Sequence, residues 1–168
     1  KAAGPVSFFF LSQAKPDRAS ALARYLLRIE PASPYGFHVL GRVAHTQKDF
    51  DAAVDWFEKA QNHLPPGRDD LLLAETCFYL GDAYANRKQA KQAARNFNLA
   101  VQAKPNYPEA QVSLAALYVL VGQQDRARET LDRWLDAFPS KENYRQTRQL
   151  LAQFGMTEFA ESYNKELR

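Results

Sequence analysis

Small and bulky apolar residues recur along this chain three and four positions apart, in short runs separated by polar stretches and prolines. Leu40, Gly41 and Ala44 fall on one side of a helix, and Ala53, Phe57 and Ala60 on one side of the next. Small residues beside large ones let the ridges of one helix enter the grooves of its partner. Three segments repeat this arrangement. The first reads Phe37, Leu40, Gly41, Ala44, Ala53, Phe57, Ala60 and Pro65. The second reads Cys77, Leu80, Gly81, Tyr84, Ala93, Phe97, Ala100 and Pro105. The third reads Gln111, Leu114, Ala115, Tyr118, Ala127, Leu131, Trp134 and Pro139. Internal spacing is the same in all three. The register advances by 40 from the first to the second and by 34 from the second to the third. The difference places an insertion around Pro65, Pro66, Gly67, Arg68, Asp69 and Asp70.

These signals predict antiparallel helix pairs. A proline after each second helix stops it, because it cannot continue the hydrogen-bond ladder. Ser33 before Pro34 reads as a cap followed by a first-turn proline, and Asp49 to Asp51 supply acceptors where a second helix begins. Asp69 and Asp70 open a helix after a turn, with negative charge at its N-terminus. One hairpin cannot bury its apolar face alone, whereas stacked copies bury a continuous seam. Stepping back one register finds Ala19, Ala23 and Leu26, so residues 5–14 and 16–30 read as a worn first hairpin. At the other end Ser140 caps a helix through about Phe154, Gly155 ends it, and Thr157 starts a last helix to about Leu167. Arg145, Gln146, Arg148 and Gln149 make one side of the penultimate helix polar, as a capping element requires. The whole chain reads as one domain: a degenerate hairpin at 1–33, repeats at 34–73, 74–107 and 108–141, and capping helices at 142–168.

The repeated pattern, over residues 34–141, resembles the tetratricopeptide repeat. That family places a large residue, Leu, Gly or Ala, and Tyr on the first helix of each pair, and Ala, Phe, Ala and then Pro on and after the second. Departures are Cys77 and Gln111 at the usual Trp position, Ala44 at the usual Tyr position, and Trp134 at a usually small one. The resemblance implies an all-α fold, a right-handed superhelix of stacked antiparallel pairs. It also implies a groove lined by first helices, into which a peptide or partner protein binds. Carried onto this sequence, the groove positions are His38, Arg42, His45, Phe78, Tyr79, Asp82, Asn86, Glu109, Val112, Ser113, Ala116 and Leu120. Some family members clamp a chaperone C-terminal carboxylate with Lys, Asn and Arg. The matching residues here are His38, Arg42, Tyr79, Glu109 and Ser113, and Glu109 would repel a carboxylate, so that ligand is excluded. The segment from Arg24 to Pro34 is also similar to one in bacterial type VI secretion assembly proteins, which points to a bacterial assembly context.

Composition narrows the function classes. The chain has 168 residues, 46% hydrophobic and 24% charged, as a folded domain should be. Helix formers such as Ala, Leu, Gln and Arg dominate. The formal net charge is +3 and the basic residues are dispersed, which argues against a nucleic-acid partner. No apolar run approaches a membrane span. A chain starting at Lys1 reads as a segment of a longer product, so its compartment stays open between cytoplasm and periplasm.

Candidate chemistry is sparse. His38 and His45 lie seven apart, not the three or four of a helical metal pair, and read as surface histidines. Cys77 sits inside a helix facing its hairpin partner, where a thiol is inert. The seven glycines are isolated, so no phosphate loop is formed. No catalytic constellation, cofactor or metal site is expected. The leading expectation is a protein-binding scaffold in which Arg42, beside Phe78 and Tyr79, meets an acidic, partly apolar ligand. The alternatives are a self-associating module, through Phe8, Phe9 and Phe10 or the last helix, and a regulatory domain of an absent enzyme.

Overall fold

The computed structural model describes residues 15–64, 67 and 69–164. Among them are nine α-helices and no strand. In order they are α1 (Pro16–Ile29), α2 (Pro34–Thr46), α3 (Phe50–Asn62), α4 (Asp70–Asn86), α5 (Ala90–Ala103), α6 (Pro108–Leu120), α7 (Gln124–Ala137), α8 (Lys141–Gln153) and α9 (Thr157–Glu161). Contacts divide the chain into two compact units, Lys1–Asn96 and Phe97–Arg168.

In the first unit α1 packs on α2, α2 on α3, and α4 on both α2 and α3. Ala19 and Ala23 of α1 meet Val39, Leu40 and Val43 of α2. Ala44 joins Ala53, Val54 and Phe57 of α3 and Leu80 and Ala83 of α4. The repeat explains this packing. A Cβ at Gly41 would lie 2.6 Å from the Phe57 ring, so only glycine lets α3 approach α2 this closely. In the second unit α6 packs on α7 and α8, and α8 on α9.

Helix ends follow a common rule. At the C-termini of α2, α4, α6 and α8, the residues Lys48, Lys88, Gly122 and Gly155 all take positive φ, between 60° and 77°. The next backbone N–H then reaches back five residues, as in Asp49 to Ala44 and Gln89 to Tyr84, each 2.9 Å. This left-handed cap satisfies carbonyls that the helix leaves unpaired. At the N-termini Asp49 accepts from the Ala52 amide at 3.1 Å, Asp69 from Leu72 at 3.0 Å and Ser140 from Asn143 at 3.0 Å. Ser33 departs from expectation. It stands at the N-cap of α2, but its hydroxyl makes no cap bond and is buried without a partner among the described residues.

The insertion goes partly into helix. α4 has 17 residues where α2 and α6 have 13, and it starts at Asp70, four residues before the repeat boundary at 74. The expected last helix is shorter than the sequence suggests: α9 stops at Glu161, and Ser162 and Tyr163 turn. The first half of the worn hairpin, 5–14, with Phe8, Phe9 and Phe10, and the stretch towards Leu167 lie outside the described residues.

The departures from the repeat pattern are absorbed by polar contacts. Gln61 donates to Cys77 Sγ and to Asn96 Oδ1, each at 3.1 Å. Gln111 donates to the Pro105 carbonyl at 3.2 Å. Trp134 replaces a small residue and points its Nε1 at Asn106 Oδ1, 3.3 Å away, which Asn143 shares at 3.3 Å.

Candidate functional site

The first-helix positions of the first unit converge on one face of α2 and α4. Arg42 and His45 are three apart on α2, and Tyr79 and Asp82 are three apart on α4, so each pair is stacked along its own helix. The two rows meet partner to partner. The Arg42 guanidinium carbon lies 3.8 Å from the centre of the Tyr79 ring, a cation–π contact. His45 Nε2 lies 2.6 Å from Asp82 Oδ2. Because a carboxylate only accepts, His45 carries its proton on Nε2. Asn86 Nδ2 donates to Asp82 Oδ2 at 3.1 Å and to its carbonyl at 2.9 Å.

Tyr79 is held by aromatic neighbours. The ring stacks on Phe57 with centroids 6.1 Å apart, and meets His45 and Phe78 edge to face at 5.4 and 5.0 Å. The platform beneath Arg42 is therefore fixed by α3 as well as α4. Arg42, His45, Phe78, Tyr79 and Asp82 are half-buried and Asn86 is exposed, so they form a structured rim with solvent access.

His38 corrects the sequence reading. It is fully buried, not a surface residue, and Nδ1 lies 2.8 Å from Thr76 Oγ1. Burial first, and then the nearby Arg42 charge, lower its pKa to about 3, so the imidazole is neutral. It packs edge-on to Phe57 and Tyr79 beneath the face, and its side chain is not offered to a ligand. Thr76 was not among the expected residues. Its only signal is that α4 brings it opposite His38, 38 positions away. In the second unit Glu109 is exposed and Ser113 half-buried. Val112 and Ala116 are buried, so neither offers a side chain to a ligand, while Leu120 is 75% exposed.

Cys77 is buried, and that burial pushes its thiol pKa up, against the Gln61 hydrogen bond. Among the described residues no three His, Cys, Asp or Glu side chains are grouped to hold a metal ion. Nor is any described helix long and apolar enough to cross a membrane.

Helical pairs with small-for-large packing, left-handed caps and a polar–aromatic face on their first helices define an all-α helical-repeat protein. Family models described as tetratricopeptide repeat match residues 10–69 and 84–153, together most of the chain. The chain belongs to the tetratricopeptide-repeat family. It is 31% identical over 83 residues to the peroxisomal targeting signal receptor of Saccharomyces cerevisiae, covering 49% of this chain and only 13% of that protein's length. The fold is also that of MamA, at TM-score 0.68 and 18% identity, covering 94% of this chain and 90% of that one. YrrB, a TPR protein with an unusual peptide-binding site, matches at TM-score 0.68 and 18% identity, with 96% and 80% covered.

Proposed function

We propose that this chain is a protein-interaction scaffold whose α2/α4 face grips a short helical or extended peptide. The ligand carries an apolar strip and at least one acidic residue, which meets Arg42. The observation that carries this reading is Arg42 seated over Tyr79, a cation on an aromatic platform at a first-helix position. Tyr and Arg are also the side chains in which binding energy concentrates at protein interfaces. Family membership supports the scaffold reading. The similarity to a targeting-signal receptor and to a peptide-binding repeat protein supports a peptide as the ligand. Composition and the segment from Arg24 to Pro34 favour a bacterial assembly as its setting.

The test is affinity for a captured partner with Arg42→Glu and Tyr79→Ala combined. Charge reversal and loss of the platform weaken binding about tenfold or more, since each tenfold corresponds to only about 1.4 kcal/mol. Unchanged affinity removes the face from consideration.

A further inference from the structure

We propose that Asp82 is a built-in competitor for Arg42, and that His45 and Asn86 hold it off so that Arg42 stays open to a ligand carboxylate. The inference rests on the α2/α4 face being the peptide site, and deepens it by naming what sets its specificity.

Tyr79 and Asp82 are one turn apart on α4, and neighbours at that spacing have Cβ atoms roughly 5–6 Å apart. Arg42 lies over Tyr79, and Asp82 follows on the same side of α4, bound to His45, the residue one turn on from Arg42. An arginine and an aspartate so placed would be expected to pair, with two parallel hydrogen bonds available. They do not. Asp82 Oδ2 instead accepts from His45 Nε2 at 2.6 Å and from Asn86 Nδ2 at 3.1 Å. Among the described residues no carboxylate forms an ion pair with Arg42. Its uncompensated charge is felt inside the protein, where it adds to the lowering of the His38 pKa.

The consequence is specificity. A guanidinium lying over a ring keeps its in-plane N–H donors, which match a carboxylate. His45 and Asn86 are thus positioning residues. Both act on Arg42 through Asp82, and so prevent the site from neutralising itself. The ligand group is the carboxylate of an Asp or Glu side chain.

The probe is a set of short Leu- and Ala-based peptides, each carrying one Glu and paired with a Gln twin, made with free and with amidated C-termini. The protein is used as the full 168-residue chain. Wild type prefers Glu peptides to their Gln twins by about tenfold, the value of one charge-assisted contact. A preference that survives amidation supports the inference, and one replaced by a requirement for the free C-terminus overturns it. His45→Ala frees Asp82, and the preference falls to about twofold or less, since Asp82 then supplies the charge-assisted bonds itself. Adding Asp82→Asn restores it, and His45→Gln, which still donates to Asp82, keeps it. His45→Ala with an undiminished preference, or no recovery with Asp82→Asn, overturns the inference while leaving the peptide site standing. Absence of any preference in wild type, or its persistence in Arg42→Gln, overturns both. A readout without ligand is the Arg42 Nε–Hε resonance. It shifts in His45→Ala as the ion pair forms and returns with Asp82→Asn; a resonance that stays put contradicts the inference.

Discussion

Single residues in this chain do work that their identity alone does not reveal. Asp49 and Asp69 each accept a backbone amide at a helix start, whereas Ser33, at the same kind of position, does not. Asp49→Ala and Asp69→Ala should therefore cost about 1 kcal/mol each in urea denaturation. Ser33→Ala should be neutral or stabilising, because it removes a buried hydroxyl that has no partner among the described residues. Lys48 and Lys88 sit at φ near 60°, where a side chain is strained. Replacing each with glycine should raise stability by about 0.5–1 kcal/mol. His38 makes a pH prediction. Its folded pKa of about 3 lies below the ordinary 6.5, so the unfolded chain binds the proton first as pH falls. Stability contributed by the neutral ring is full above pH 6.5 and is lost progressively towards pH 3, by up to about 1.4 kcal/mol per unit. Thermal melts of wild type and His38→Gln across this range check it, and the variant should lack that slope. Two of these features were hidden in the sequence. Lysine carries no signal for a left-handed cap, and the seven-residue spacing of His38 and His45 puts them on one face without saying that the first is fully buried and the second only in part.

Helix pairs were the most legible level. The recurrence of Gly41, Ala53 and Phe57 marks a close crossing, and the structure places the Phe57 ring where a Cβ at Gly41 would be. Gly41→Ala should destabilise the chain by about 1–3 kcal/mol, read as a lower denaturation midpoint with an unchanged slope. Combining it with Phe57→Leu should recover part of the loss, since residues in contact are not additive. Element lengths were less legible. Asp69 and Asp70 read as opening a helix, and α4 does begin at Asp70, but the repeat boundary at 74 did not show that this helix takes up part of the added length. α9 stops at Glu161 although its sequence continues with helix-compatible residues, because Ser162 bonds back to the Phe159 carbonyl at 2.7 Å and Tyr163 turns into a buried position.

At the scale of the molecule, the repeat register is what assembles the candidate face. It places Arg42 and His45 of one hairpin against Tyr79 and Asp82 of the next, residues 37 apart in sequence that no local motif links. The register also made that face readable in advance, since equivalent positions of successive first helices face the same way. The pairing within it was not readable, because it depends on which of two donors an aspartate accepts. The most direct test compares the affinity of the purified chain for its captured partner in three forms: wild type, Arg42→Glu with Tyr79→Ala, and a control reversal at the exposed Asp55 of α3. A loss of about tenfold or more in the double variant alone is the predicted result. Equal affinity in all three, with the helical melt intact, would contradict a binding face on α2 and α4.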